Sequence, residues 1–394
     1  MNTLLFDDND RINLLPLTFT RPVSELRIGI LTITEKWAYF FKRPSFLTQN
    51  YLKQKYSAVI QNVNLLINGS IIPNEALIKE IKTLKQGEFL IKNDIIIAGI
   101  VSDIEIQKFE PEIEKIFKPI ICKSEFTKIK FPWDIFSLNG QEIESDFKLV
   151  TAGKTSEKLS RTNNILQEER IFVEKGVFAE FATFNPNGGY IYLGKDSEVM
   201  EGSIIRGSFS LGEHSTLKIG AKIYGPTTVG PHSRVGGEVN NSVITGFSNK
   251  GHDGFLGNSV LGEWCNLGAD TNNSNLKNNY AEVRVWNYKQ KRFIHTGLQF
   301  CGLIMGDHSK CGINTMFNTG TVVGVSSNIF GTGFPRNFVP SFSWGGNSGF
   351  TTYTLPKVFE TSEIVMKRRD KDLDNIEKSI LEHIFNETKI YREV

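Results

Sequence analysis

Leu193, Val199, Ile205, Leu211, Leu217, Ile223, Val229 and Val235 recur at a step of six without exception, and glycine follows at Gly194, Gly212, Gly230 and Gly236. A step of six is neither the period of about 3.6 of a helix nor the period of about 2 of a strand. It is the mark of a parallel β-helix, in which each hexad forms one short flat face of a solenoid. The aliphatic residue fills the interior, and glycine permits tight corners because it tolerates backbone angles closed to other residues. The register returns at Phe255, Leu261 and Leu267, and again at Met305, Cys311, Phe317, Val323 and Ile329, which predicts a solenoid from about residue 170 to about residue 342. Between these blocks Lys277 to Gln299 is too polar and aperiodic to be wall, and reads as a loop thrown out from one corner.

The residues before about Ser160 have a different grammar. Short apolar runs such as Ile95 to Val101 alternate with helical stretches such as Asn74 to Leu84 and Glu112 to Phe117, the pattern of an α/β layer. At the other end, Ile364, Met366, Leu373, Ile376, Ile380 and Ile384 stand mostly three or four apart between charges, which predicts an amphipathic capping helix between about Glu360 and Tyr391. The expected organisation is an α/β domain over 1–140, a linker over 141–170, a β-helix over 171–345 and a helical tail over 346–394.

Charge and cysteine content exclude several classes of function. With 45 basic against 43 acidic side chains in 394 residues, the net charge is +2 and no cationic excess exists to neutralise a run of phosphates. Neither a nucleic-acid nor a membrane partner is expected, and any bound anion should be small. The opening Met1-Asn2-Thr3-Leu4-Leu5-Phe6-Asp7-Asp8-Asn9-Asp10 lacks the basic start and apolar run of a signal peptide, and no stretch approaches the roughly 18 apolar residues of a membrane span. Cys122, Cys265, Cys301 and Cys311 have no metal-type spacing and read as buried thiols in a reducing, cytoplasmic setting.

The most specific segment is Gly251-His252-Asp253-Gly254-Phe255-Leu256-Gly257, followed by Leu261-Gly262-Glu263-Trp264-Cys265-Asn266-Leu267-Gly268-Ala269-Asp270-Thr271 and then Asn275. It resembles the acetyltransferase site of the GlmU family of bifunctional sugar-1-phosphate uridyltransferases and its archaeal relatives. Glu238-Val239-Asn240-Asn241-Ser242 is similar to the family's strip one coil earlier, and Gly306-Asp307-His308-Ser309-Lys310-Cys311-Gly312-Ile313-Asn314 to a later coil. The resemblance implies a left-handed sense for the β-helix, a homotrimer, and acetyl-CoA held in a groove between subunits. It implies N-acetylation of an amino sugar phosphate. That chemistry needs a base for the attacking amine, and an imidazole of ordinary pKa near about 6.5 suits the task at neutral pH. His252 matches the family's base and Glu238 the carboxylate that orients it, while Asn266 and Asn275 match positions that contact the amino sugar. An isolated histidine in a solenoid wall would read as structural; the flanking pattern is what gives His252 its catalytic reading.

Two departures bear on the acceptor. Phe255 occupies the place of a sugar-contacting Tyr, and Asn240 that of a phosphate-contacting Lys. Lys250, Lys222 and Arg234 lie close in sequence and are candidates for the missing cation, with Lys250 taken as substrate-binding.

The N-terminal half carries a second resemblance. Arg11-Ile12-Asn13-Leu14-Leu15-Pro16-Leu17-Thr18-Phe19-Thr20-Arg21-Pro22-Val23 is similar to the opening of sugar-1-phosphate nucleotidylyltransferases, with Arg11 and Arg21 in the places of the phosphate-handling Arg and Lys. Asn68 falls at the family's metal-binding Asp, so a nucleoside triphosphate and Mg2+ are implied if this domain is active, with the metal ligands left unassigned. The family's Gly-rich turn is replaced by Phe6-Asp7-Asp8-Asn9-Asp10, which would repel phosphates without a metal. Phe131-Pro132-Trp133-Asp134-Ile135-Phe136-Ser137-Leu138-Asn139 resembles the junction after the catalytic domain, which makes this domain short. Arg27 and Glu35 join Arg11 and Arg21 as residues to test, either in catalysis or as a buried Arg–Glu pair. Three readings of this half stand: active enzyme, binding remnant or structural cap. For the whole chain, the rivals to acetyl transfer are nucleotidyl transfer with the β-helix as oligomerisation scaffold, and a non-catalytic binder.

Overall fold

The computed structural model describes residues 1–106 and 118–392, so the helix expected at Glu112–Phe117 lies outside the described residues. The chain divides into two compact units, one of Met1–Leu14, Thr20–Leu26 and Leu31–Lys130, the other of Leu15–Phe19, Arg27–Ile30 and Phe131–Val394.

The first unit is built on a six-stranded mixed sheet in the order Ser45–Leu47, Asn2–Phe6, Val63–Asn68, Ile95–Ser102, Glu88–Lys92, Lys118–Ile121. Asn2–Phe6 pairs parallel with both neighbours, and Ile95–Ser102 pairs antiparallel with both of its own. Leu4, Phe6, Leu66, Phe89 and Val101 form the core on one face. Glu35 has a local role: Thr32 and Glu35 make a reciprocal capping box at the start of the helix Ile33–Ala38. Glu35 is exposed, whereas the expected Arg–Glu pair was a buried one.

The second unit is the solenoid. Three ladders of parallel strands run along it, with six, nine and ten strands, the last ladder closed by the antiparallel strand Gly349–Thr352. Each aliphatic residue of the hexad lies on its counterpart one coil away: Ile205 on Ile223, Leu211 on Val229, Leu217 on Val235. All are buried in one continuous apolar column, each contributing about 1.5–3 kcal/mol by leaving water. The four cysteines are buried and free, as the sequence reading expected.

The register changes after Val235. The next coil is shorter, so Ile223 faces Val239, Val229 faces Ile244 and Val235 faces Lys250. The following coil places Leu256 in the interior and leaves Phe255 half-buried on the outer side, which corrects the expectation that Phe255 continues the aliphatic series. Lys277–Gln299 is more than a loop, since it contains a hairpin of Arg284–Asn287 paired antiparallel with Arg292–His295. The tail is two helices, Leu355–Lys367 and Asn375–Glu387, with a short turn of helix at Lys389–Arg392, rather than one capping helix.

One solenoid corner is a stack of rings. His214, His232, Phe247, Trp264 and His308 lie in successive coils with centroid separations of 5.0, 4.8, 4.4 and 6.2 Å. Every one of them has a positive φ, between 52° and 60°, so the stacking helps hold the left-handed backbone that the corner requires. Burial, and then the neighbouring His214, hold the His232 imidazole below its ordinary pKa.

The helix Pro132–Thr151 crosses the boundary expected at residue 140 and belongs to the solenoid unit, so helix occupies the first part of the segment expected as linker. Its buried Asn139 is a hub. The Asn139 Oδ1 accepts from Gly29 N–H at 2.8 Å and from the Thr228 hydroxyl at 3.1 Å, while its Nδ2 donates to Pro226 O at 3.1 Å. Gly29 is required here: its φ is +76°, and a Cβ would lie 2.5 Å from Asp146 Oδ2. Arg27, a catalytic candidate from sequence, donates from Nε to the Thr245 carbonyl at 3.2 Å and so acts as a strut.

Two outcomes are expected. Asn139→Ala leaves the Gly29 N–H and the Pro226 carbonyl without their partner, while Thr228 keeps its 2.8 Å bond to Gly29 O; it should lower the unfolding free energy by about 2 kcal/mol in urea denaturation. His232 has a folded pKa below its unfolded value, so its contribution is present above about pH 6.5 and is lost as pH falls through the folded pKa. The melting temperature of the wild type should therefore drop more between pH 7.5 and 5 than that of His232→Phe, which keeps the stacked ring without the charge.

Candidate functional site

The site grows out of the short coil. Gly236 and Gly237 turn the chain onto Glu238–Asn240, and the next coil passes the same corner as Gly251–Gly254. Gly237 has a φ of +69°, and a Cβ there would lie 2.8 Å from His252 O, Asp253 Cα and Lys250 Nζ. The two turns are packed too closely for any side chain between them.

His252 is exposed at this corner, and among the described residues its imidazole has no hydrogen-bond partner. Its backbone is fixed from below. Lys250 occupies an interior position of the solenoid at 2% exposure, and its ammonium donates to His252 O at 2.8 Å and to Gly236 O at 3.0 Å. Burial lowers its pKa to about 8, with Asp253 the largest influence in the other direction. This corrects the assignment of Lys250 to the substrate: an ammonium sealed in the solenoid and spent on two carbonyls does not meet a phosphate. Lys222, exposed and in register with Glu238, and Arg206, exposed and in register with Tyr224, are cations available on that face.

Glu238 does not hold His252. Its carboxylate accepts from the Tyr224 hydroxyl, while its N–H donates to Gly254 O at 3.1 Å. Burial and then Glu238 raise the Tyr224 pKa, so the phenol stays protonated as donor. The outward residues Lys222, Glu238 and Phe255 form one column on this face, and Tyr224, Asn240 and Gly257 the next.

Phe255 and Asn275 do come together: a Cβ on Gly257 would lie 2.5 Å from Phe255 Cζ and 2.7 Å from Asn275 Nδ2. Asn275 Nδ2 donates to Asn258 Oδ1 at 2.8 Å. Asn272 and Asn273 replace ladder partners, their Oδ1 atoms accepting from Phe255 N and Gly257 N at 2.9 Å each. Asn266 lies on a different face, in register between Asn249 and Lys310, and is not gathered with Asn275. Sequence reasoning missed Tyr224 and Asn258; their signal was register, since each stands beside a named site residue once the coils are aligned.

In the first unit, the residues read as nucleotide-binding are occupied internally. Arg11 is buried, with Nη2 donating to the Tyr51 hydroxyl at 2.7 Å and Nε 3.5 Å from Asp7 Oδ2. Asn68 is buried and donates to Asp8 Oδ2 at 2.9 Å and Ile96 O at 3.1 Å, while accepting from Ser70. Lys128 lies 2.8 Å from Asp8 Oδ2 and also pairs with Asp10. Arg21 is buried. The acidic turn thus has its own cations. Asp8 and Asp10 share the Lys128 ammonium, and among the described residues no group of three or more His, Cys, Asp or Glu side chains is arranged to hold a metal. These residues do not fit Mg2+.

Lys250 titrates in a readable way. Its folded pKa of about 8 lies below the unfolded value of 10.5, so the folded chain binds fewer protons between those limits and stability gains with rising pH. The unfolding free energy of wild type relative to Lys250→Met should therefore rise from pH 8 to pH 10, by on the order of 2 kcal/mol in denaturant titrations.

Residues 3–155 match the family described as sugar nucleotidyl transferase. The bifunctional protein GlmU of Methanocaldococcus jannaschii is 38% identical over 87 residues, 22% of this chain and 21% of that protein. The bifunctional sugar-1-phosphate nucleotidylyltransferase/acetyltransferase of Sulfurisphaera tokodaii is 38% identical over 93 residues, 24% and 23% of the two chains. The matched segments are thus under a quarter of the length of these two relatives. Among solved structures, a UDP-N-acetylglucosamine acyltransferase from Bacteroides fragilis covers 60% of this chain and 84% of its own, at a TM-score of 0.29 and 14% identity, a likeness too slight to bear on activity. The chain is therefore similar to the bifunctional GlmU-type proteins, and its residues 3–155 are similar to the sugar nucleotidyl transferase family.

Proposed function

We propose that the solenoid unit transfers the acetyl group of acetyl-CoA to the amino group of an amino sugar phosphate. The observation that carries this reading is His252: an exposed imidazole at a corner whose backbone carbonyl is gripped by a buried ammonium. His252 accepts the proton of the attacking amine, the amine nitrogen bonds to the thioester carbonyl carbon, and the C–S bond breaks with coenzyme A leaving as the thiol after protonation. No protein nucleophile takes part; burial pushes the Cys265 and Cys301 thiols up to about 12, which keeps them protonated.

The acceptor lies along the outer column of Lys222, Glu238 and Phe255, with Lys222 for the phosphate and Asn275 beside Phe255 for the sugar. The Tyr224 hydroxyl, on the same face, stands in for the hydroxyl that Phe255 lacks. Asn266, one face away, contributes through a neighbouring copy in a homotrimer. Exposed Ile204, Ile219 and Ile313 supply apolar surface for that assembly. Among the described residues no helix is long and apolar enough to cross a membrane, and we assign the chain to the cytoplasm, where acetyl-CoA is available.

The match over residues 3–155 favours a second reading, nucleotidyl transfer by the first unit. Against it stands the acidic turn paired with Lys128 and Arg11, and we assign this unit a structural or binding role.

Thiol release from acetyl-CoA, assayed against a panel of amino sugar 1-phosphates, tests the proposal. Wild type should turn over at least one acceptor, and His252→Ala should lower kcat by about 10²–10⁴-fold. Its melting temperature should stay unchanged, because the imidazole is exposed. Turnover that survives His252→Ala would remove the assignment.

A further inference from the structure

The hairpin at Arg284–Asn287 and Arg292–His295 has two unlike sides. Val283 and Val285 are buried, and the hairpin base presses on the solenoid so closely that a Cβ on Gly320 would lie 2.4 Å from Arg284 O. Strand alternation sends Arg284 and Trp286 the other way. There they line a cavity of about 590 Å³, closed by Phe338 of the solenoid and Tyr391 of the last helix.

The lining has a definite chemistry. Its apolar part is aromatic: Trp286 and Phe338 are stacked at 4.4 Å and 12°, with Tyr391 edge-on to both at 6.3 and 5.8 Å and Phe293 edge-on to Trp286 at 5.5 Å. Its charged part is cationic, Lys277, Arg284 and Arg336, with no carboxylate among the described residues of the lining. Lys277 Nζ is held by Glu282 O at 2.6 Å, while Arg284 and Arg336 are exposed at the rim. Asn337 adds an amide.

A neutral sugar would want carboxylates and amides around its hydroxyls, and a hydrocarbon chain would gain nothing from three cations. A flat ring carrying negative charge uses both parts, the ring against the aromatic wall and the anion on the arginines. The volume lies within the range of about 300–1,000 Å³ typical of small-molecule pockets. We propose that this cavity is a nucleotide-binding site, taking an aromatic base with its phosphate. The proposal concerns a site distinct from the His252 corner and does not rest on acetyl transfer. Two sources share this chemistry: the phosphoadenosine end of a coenzyme A thioester, and a nucleoside diphosphate such as that of a nucleotide sugar.

Isothermal titration calorimetry on the intact chain separates them, with adenosine 3′,5′-bisphosphate, uridine diphosphate and inorganic phosphate as the probes. At least one nucleotide should bind in the micromolar range, the tighter one naming the source, and inorganic phosphate should not bind. The double variant Arg284→Ala/Arg336→Ala should weaken binding by about tenfold or more, since both side chains meet the phosphate. Both arginines are exposed, so the variant should keep its circular dichroism spectrum and melting temperature. His252→Ala should bind as wild type does, which keeps this test separate from the acetyl-transfer assay. Absence of binding by both nucleotides up to millimolar concentration, equal binding of phosphate alone, or undiminished binding by the folded double variant would overturn the assignment.

Discussion

Register between coils is the constraint on which the second unit depends. In a parallel ladder each residue inherits the environment of its counterpart one coil away, so a change of coil length changes which residues stack on one another at that place. The coil between Val235 and Lys250 is such a change. It takes the aliphatic series out of step and puts a lysine in the apolar column. It also brings two glycine-bearing turns into backbone contact at the corner where His252 emerges. A buried ammonium is costly unless its protons are taken up, and here two carbonyls take them, one belonging to His252 itself. The irregularity in the repeat and the candidate active corner are the same piece of chain.

The stacked corner works in the opposite sense. His214, His232, Phe247, Trp264 and His308 hold positive φ values that non-glycine residues adopt reluctantly, and ring-on-ring contact between coils offsets part of that strain. One corner is therefore paved with aromatic rings and stays regular through the coil-length change, while the corner bearing Gly237 and Gly254 adjusts. A solenoid that is rigid along one edge can carry a local departure along another without losing its column.

Charge is handled differently in the first unit. The acidic turn that follows the first strand looks hostile to phosphates, but each of its carboxylates has a local partner: Asp7 with Arg11, Thr48 and the Val23 N–H, Asp8 with Lys128 and Asn68, Asp10 with Lys128. Burial raises the Asp7 pKa despite Arg11 beside it, so desolvation outweighs attraction there. Arg11 and Asn68, the expected nucleotide-handling residues beside this turn, are thus engaged with its carboxylates.

Periodicity and motif spacing determined a good deal alone. The step of six gave the parallel solenoid because interior burial repeats with the backbone, and it located Leu193 to Val235 in the core with no error of register. The Gly251–Gly257 segment located the His252 corner. What the sequence left undetermined is pairing between residues far apart in the chain. Lys250 looks like any exposed lysine until Val235 is found beneath it; Glu238 looks like a partner of His252 until Tyr224 is found one coil away with its hydroxyl on the carboxylate. Asn139 looks like part of a junction motif until Gly29 and Thr228 are found on its amide. The aromatic cavity joins a hairpin, a late coil and the last helix, which no window of sequence contains together. Local period is written in the chain because it depends on neighbours in sequence; hydrogen bonds and cavities between coils depend on coil length, which only the folded structure decides.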